Sequence, residues 1–293
     1  MQIRLALVGF GEAGSTFAHA AAWGGQAIAH DIDPKRQQMM AQCGVVCAGS
    51  AAEALGAAPL ILSLVTADRA EQAARDYARF IAPGAIWCDM NSVAPQTKQA
   101  TAQAIAAAGG HYVDVAVLAP VNPAGMAVPL LLAGEAAGRA ESLLQAAGFT
   151  NTRVVGGQVG RASTIKMIRS VMVKGLEALT AEMMIAAQAA GVRDEVLASL
   201  DASERAQPWA VRADYNLDRM LLHGRRRAAE MRESAQTLED LGIAPMMTQN
   251  TVQWQDKLGG LTQGAVPDGL DAKLAAILAA AFSGDKGSHD DDH

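Results

Sequence analysis

Aromatic residues make up only 4% of the 293-residue chain, and there are just three cysteines. The first shortage leaves alanine to supply much of the 51% hydrophobic content, which favours helices that pack closely through small side chains. The second leaves Cys43, Cys47 and Cys88 without zinc-ribbon or redox spacing, and no Cys or His pair lies near the C-x3-C of Cys43 and Cys47. They are read as isolated buried thiols of a reducing compartment, and no metal site is expected. Charge of one sign is also lacking. A formal net charge of −6 sets up no field that would draw in nucleic acid or an anionic membrane. Long hydrophobic runs are missing too: Leu274 to Phe282 falls far short of the roughly 20 residues a bilayer span needs. The first residues lead straight into strand-like sequence, with no basic segment followed by an apolar leader core. A cytoplasmic protein without nucleic-acid or membrane partners is the expectation.

What is present is an alternation. Apolar runs at Ile3–Val8, Ala27–Ala29, Leu60–Val65, Ala85–Cys88, Tyr112–Val117 and Val128–Ala133 are separated by helix-like stretches such as Ser15–Trp23, Pro34–Gln42, Ala67–Ile81 and Pro95–Ala108. Strands alternating with helices of this length predict an α/β domain with a doubly wound, mostly parallel sheet. After Gly160 strand signals stop, and helical periodicity runs nearly to Phe282, broken at Gly191, Pro208, Gly242–Pro245 and Gly259-Gly260. The expected organisation is a dinucleotide-binding domain over 1–157, an all-helical domain over 158–283, and a polar, disordered tail over 284–293.

The first strand runs directly into Gly9-Phe10-Gly11-Glu12-Ala13-Gly14, which opens a helix. In that context G-x-G-x-x-G is a dinucleotide fingerprint. Gly9 makes the tight turn, Gly11 lets the backbone approach a pyrophosphate, and Gly14 lets helix and strand pack, with the helix N-terminus facing the negative charge. The second strand ends at Asp31, near the point about 20 residues on where an acid binds the adenosine ribose hydroxyls. A carboxylate there repels a 2′-phosphate, so NAD is expected, with NADP possible because Lys35 and Arg36 follow closely. A glycine turn and an aspartate capping the next helix would account for the same residues without any cofactor. Val65 and Thr66 close the Leu60 run, where they would contact the dinucleotide or simply cap the following helix. In Trp87-Cys88-Asp89-Met90-Asn91-Ser92-Val93-Ala94-Pro95, Asn91 or Ser92 would touch the nicotinamide side or serve as caps.

These segments, in this order, resemble the β-hydroxyacid dehydrogenases, the family of 3-hydroxyisobutyrate and 6-phosphogluconate dehydrogenases. The resemblance rests on the glycine motif, on DMNSVAP, and on the G-x5-K of Gly160 to Lys166, and it extends over most of residues 1–282. The later TIKMIRSVMVKG and RRRAAEMRESAQTLEDLG look closer to a less-characterised branch, in which a helical domain of poorly defined function follows the NAD domain. The resemblance implies a Rossmann domain, a long interdomain helix, an all-helical second domain and two-fold pairing through such helices, hence a homodimer. It also implies that Lys166 is the general acid/base. Alcohol oxidation removes a hydroxyl proton as hydride leaves the same carbon, and a desolvated lysine near other cations can be tuned for that task. Arg169 and Ser170 share its helix face.

One helix position and one loop depart from the family pattern. Ser170 stands where the family carries asparagine, and a serine has a single donor and shorter reach. The loop Asp114 to Pro123 carries Leu118 and Pro120 in place of a hydroxyl and an amide donor, so a more apolar pocket is expected, lined by Leu118, with Asn122 as its polar element. That loop also reads as a rigid turn after a buried strand. His223, beside Arg225-Arg226-Arg227, would meet an anionic substrate group or begin a solvated helix. The expected function is NAD(P)-dependent oxidation of a β-hydroxy acid or related secondary alcohol. Reduction of an imine by a similar architecture, and a dinucleotide sensor or scaffold without turnover, remain open beside it.

Overall fold

The computed structural model describes residues 5–203, 206–261 and 265–282. The start of the first apolar run, Ile3 and Arg4, and the tail over 284–293 lie outside them. The described residues divide into two compact units, Met1–Val171 and Met172–His293.

In the first unit, strands β1 (Leu5–Val8), β2 (Ala27–His30), β3 (Val46–Cys47), β4 (Leu60–Ser63), β5 (Ile86–Asp89), β6 (His111–Val117), β7 (Leu130–Ala133) and β8 (Thr152–Gly156) alternate with helices. These are α1 (Glu12–Ala21), α2 (Arg36–Gln42), α3 (Ala51–Leu55), α4 (Ala70–Tyr77), α5 (Pro95–Ala107), a single turn α6 (Val121–Ala124), and α7 (Ala137–Ala146). The strands form one sheet in the order β3-β2-β1-β4-β5-β6-β7-β8. Pairing is parallel from β3 across to β6, and β7 meets β6 antiparallel. The physical reason is the connection: parallel strands need a crossover of a dozen or more residues, usually a helix, and the link from β6 to β7 holds only single turns. β3 and β8 were not among the expected runs, since β3 is two residues long and β8 is half-exposed with an arginine in it.

Burial on both faces explains the unbroken apolar runs of β1 and β4. Leu5, Leu7, Leu60 and Leu62 join Phe17 and Phe149 on one face, while Ala6, Val8, Ile61 and Trp87 join Leu55, Ala74 and Ile105 on the other. Of the cysteines expected to be buried, Cys88 is, but Cys47 is exposed, because β3 is the sheet's edge and offers nothing to cover it.

The long helix α8 (Arg161–Ala189) begins in the first unit. The second unit adds α9 (Arg193–Ser203), α10 (Trp209–Asp240), α11 (Met246–Gly259) and α12 (Leu270–Phe282). α10 and α11 run antiparallel and come very close where glycine faces glycine. A Cβ on Gly224 would lie 2.2 Å from the Gln255 carbonyl oxygen, and one on Gly259 2.4 Å from the Arg225 nitrogen. Any side chain at either position would push the helices apart. Glu182 of α8 caps α11, accepting from the amides of Met247 at 2.7 Å and Thr248 at 2.9 Å and from the Thr248 hydroxyl at 2.6 Å. Burial raises the Glu182 pKa, but these bonds to the charged form outweigh it and the net shift is downward. Lys273 ties α12 to α10 through Asp214 at 2.8 Å and Asp218 at 3.1 Å. No helix among the described residues is long and apolar enough to cross a membrane.

Candidate functional site

The strand order reverses at β1, and ligands of open α/β sheets bind outside the carboxyl ends of the strands at such a point. There a groove of about 280 Å³ is lined by Gly9, Gly11, Asp31, Val65, Thr66 and Tyr77, among others. The sequence had placed five of these at a dinucleotide site. Gly9 holds φ +90°, and a Cβ on it would lie 2.7 Å from the Leu64 carbonyl oxygen. A Cβ on Gly14 would lie 3.0 Å from the Gly9 oxygen. Protein packing and backbone conformation therefore demand glycine at Gly9, while a side chain at Gly14 would require the Gly9 oxygen to give by a few tenths of an ångström. At Gly11 packing makes no such demand, because a Cβ there would meet no protein atom within 4 Å. Among the described residues no side chain caps the α1 N-terminus, which leaves its first amides without a side-chain acceptor. Phe10 buries its ring in the core and Gly14 is buried, while Ala13 is half-buried and Glu12 exposed in the first turn.

Asp31 does more than the sequence suggested. Its Oδ2 accepts from the Phe10 amide at 2.7 Å and its Oδ1 from the Asp33 amide at 2.8 Å. The carboxylate thus fixes the glycine loop to the end of β2, with lone pairs left over on both oxygens. Next to it, Asp33 holds Arg36 at 3.7 Å, and Ile32 is 75% exposed.

At the end of β5, Asn91 turns inward. Its Nδ2 donates to Asp89 Oδ1 at 2.7 Å and to Ser63 Oγ at 3.0 Å, and its amide donates to Asp89 Oδ1 at 2.9 Å. Its neighbour Ser92 is exposed instead, and the Lys166 ammonium donates to the Ser92 hydroxyl. Ser170 lies one turn further along α8, half-buried, and Arg169 donates to the Leu118 carbonyl at 3.2 Å. The Leu118 side chain packs against the buried cluster of Ala116, Leu131, Ala133 and Ala162, as does Ile165. Asn122 is exposed in the turn after β6. His223 is exposed on α10, in the second unit.

Beneath Ser92 lies a group that the sequence reading missed. Lys98, Asp89 and Asp114 are all 0% exposed, with the lysine 3.0 Å from Asp89 and 3.6 Å from Asp114. Lys98 also donates to the Asp89 carbonyl at 2.7 Å, and the Tyr112 hydroxyl to Asp89 Oδ2 at 2.7 Å. Asp114 accepts from the amides of Gly160 at 3.1 Å and Ser163 at 3.0 Å and from the Ser163 hydroxyl at 2.6 Å, so it caps α8. One buried cluster therefore holds both the turn that carries Ser92 and the first turn of the helix that carries Lys166. Its signals were present in the sequence: an acid inside the apolar run Tyr112–Val117, and a lysine in register with Thr101 and Ile105 on the buried face of α5. Among the described residues no cluster of three or more His, Cys, Asp or Glu side chains suited to a metal ion occurs.

Comparison with known proteins follows this geometry. Residues 187–258 match a family described only as a domain of unknown function, DUF1932. A conserved hypothetical protein from Sinorhizobium meliloti 1021 is 33% identical, covering 95% of this chain and 97% of its own, with a TM-score of 0.60. Two further structures share the fold at lower identity. An imine reductase variant from Myxococcus stipitatus, in complex with NAD+, is 19% identical over 95% of this chain and 100% of its own, with a TM-score of 0.75. The 3-hydroxyisobutyrate dehydrogenase of Mycobacterium tuberculosis is 16% identical over 96% and 100%, with a TM-score of 0.62. Residues 4–158, more than half the chain, match the NAD binding domain of 6-phosphogluconate dehydrogenase, and the chain belongs to that family.

Proposed function

We propose that the protein is an NAD-dependent dehydrogenase of a β-hydroxy acid or related secondary alcohol, with Lys166 as its general acid/base. The observation that carries this reading is the placement of Lys166 on Ser92. β2, β1, β4 and β5 are parallel, so Asp31, Gly9, Thr66 and Ser92 all leave the sheet at the same carboxyl edge. A dinucleotide with its adenosine ribose at Asp31 and its pyrophosphate at Gly11 runs along that edge towards the end of β5. Bound NAD would supply the hydride acceptor for the carbinol carbon. Lys166, as the neutral amine, takes the hydroxyl proton while the C–O bond becomes a carbonyl, and returns it in the reverse direction. Ser170, one turn on, orients the substrate hydroxyl. Imine reduction would instead call on this lysine to deliver a proton to nitrogen, and a sensor without turnover would need no lysine at this position. A screen of hydroxy acids and alcohols with NAD and NADP, followed by absorbance of the reduced nicotinamide, tests the assignment.

NAD is preferred to NADP in this reading because a 2′-phosphate would face Asp31 and Asp33, while Arg36 is already engaged by Asp33. Asp31→Ala should weaken NAD by about tenfold or more, the loss of hydrogen bonds to a charged acceptor. NADP should weaken less, by the share due to the loosened Phe10 amide, so the preference narrows. Dissociation constants for both cofactors check this, and a wild-type preference for NADP would contradict it.

The assembly we propose is a homodimer in the cytoplasm. In the second unit Leu179 and Ile185 of α8, Trp209, Tyr215 and Leu222 of α10, and Leu278 of α12 are exposed, large apolar side chains that a subunit contact would cover. Sedimentation at micromolar concentration should show a dimer, and a monomer would contradict the proposal.

A further inference from the structure

Lys166 stands midway between two residues of α8 that are tied to β6. Three positions before it, Ser163 is 2% exposed, and its amide and hydroxyl both donate to the Asp114 carboxylate of β6. Three positions after it, Arg169 donates from Nη1 to the carbonyl of Leu118, the residue that follows β6. Asp114 precedes Leu118 along the strand just as Ser163 precedes Arg169 along the helix, so the opening turns of α8 are laid against β6 in one sense. Sliding or rolling the turn that carries Lys166 would break one of the two tethers. A third contact closes a ring. The Lys166 ammonium donates to the Ser92 hydroxyl, the Asn91 amide just before Ser92 donates to Asp89, and Lys98 joins Asp89 to Asp114.

We propose that Ser163 and Arg169 are positioning residues that set where the Lys166 amine stands against the end of β5, and that they act on the reaction only through Lys166. The inference rests on the reading of Lys166 as general acid/base and adds what aims it. A proton passes between heavy atoms about 2.6–3.2 Å apart. A displacement of about 1 Å from such a geometry can cost about 10²-fold in rate. The lysine stem is flexible, so its amine returns to one place only when the backbone beneath it is fixed and its tip is held. Here Ser92 holds the tip, and the two tethers to β6 fix the backbone on either side.

The test is steady-state kinetics of the full chain, with a hydroxy acid or alcohol found by screening. It compares wild type, Ser163→Ala, Arg169→Ala and Lys166→Ala, and each of the first two variants combined with the third. Ser163→Ala leaves Asp114 its bonds from the Gly160 and Ser163 amides, and Arg169 is exposed, so the fold is retained. Each of the two single variants should lose about tenfold in kcat, while the Michaelis constants stay within about twofold. In the Lys166→Ala background nothing is left to aim, and the same changes should lower the remaining rate by less than about twofold. A residue that merely supports α8 would cost the same factor with and without Lys166. An Arg169 that binds an anionic substrate would raise the Michaelis constant on substitution and leave kcat unchanged. Either result would overturn the inference while Lys166 remains the general acid/base. A Lys166→Ala variant that turns over at the wild-type rate, or a wild type that oxidises no member of the screen, would overturn the inference and the reading of Lys166 together.

Discussion

Lys166→Ala should lose about 10²- to 10⁴-fold in turnover while keeping its affinity for NAD within a few-fold, the range for removal of a general acid–base group. The split between rate and cofactor affinity is the informative part. Lys166 reaches the end of β5 through Ser92, on the far side of β1 and β4 from Asp31, so its removal leaves the groove that takes the adenosine half untouched. A lysine serving only to fix α8 to the sheet would show its loss in thermal unfolding and leave the rate unchanged. One that only attracts an anionic substrate would raise the Michaelis constant and leave kcat unchanged. Ser170→Ala should lose less than Lys166→Ala, since it orients the hydroxyl without moving its proton. Steady-state kinetics with a substrate found by screening, alongside NAD titration, decides among these outcomes.

Lys98→Met should cost about 3–5 kcal/mol of stability, the usual effect of removing one partner from a buried ion pair. The substitution keeps the bulk of the side chain but leaves Asp89 and Asp114 facing each other at 0% exposure without a cation. One of them must then take up a proton or draw in water. Against a total of about 5–15 kcal/mol for an ordinary domain, that is enough to leave a large unfolded population. Adding Asp89→Asn restores charge balance and should recover part of the loss, because the remaining polar groups can still bond to one another. Urea unfolding of the single and double variants measures both numbers. A single variant that unfolds within about 0.5 kcal/mol of wild type would show that the pair does not hold this part of the sheet.

The sheet and its cofactor turn were legible because they are written locally. β1, the glycine motif and Asp31 lie within one strand–helix–strand unit, and each glycine's role follows from its spacing. The unexpected second role of Asp31, holding the Phe10 amide, depends on how the ends of β1 and β2 sit side by side, which no periodicity reports. Lys166 was identified through G-x5-K and the family resemblance. Its partner Ser92, 74 residues away, needed the fold to bring α8 over the end of β5. Leu118 was expected to line a pocket, and how its half-buried side chain packs against a cluster that includes Ala116 of β6, Leu131 of β7 and Ala162 of α8 depends on elements that meet only in the fold. Lys98 was passed over because a lysine on a helix is ordinarily solvated. Only the pairing of β5 with β6 puts two carboxylates, Asp89 opposite Asp114, beneath it.

The most direct test of the account is a turnover measurement on the wild-type chain, offered a panel of β-hydroxy acids and secondary alcohols with NAD and, separately, a panel of cyclic imines with NADH. The account expects NAD reduction with at least one hydroxy acid or alcohol, lowered about 10²- to 10⁴-fold by Lys166→Ala. Turnover of imines alone, or a chain that binds NAD firmly yet turns over neither panel, would contradict it.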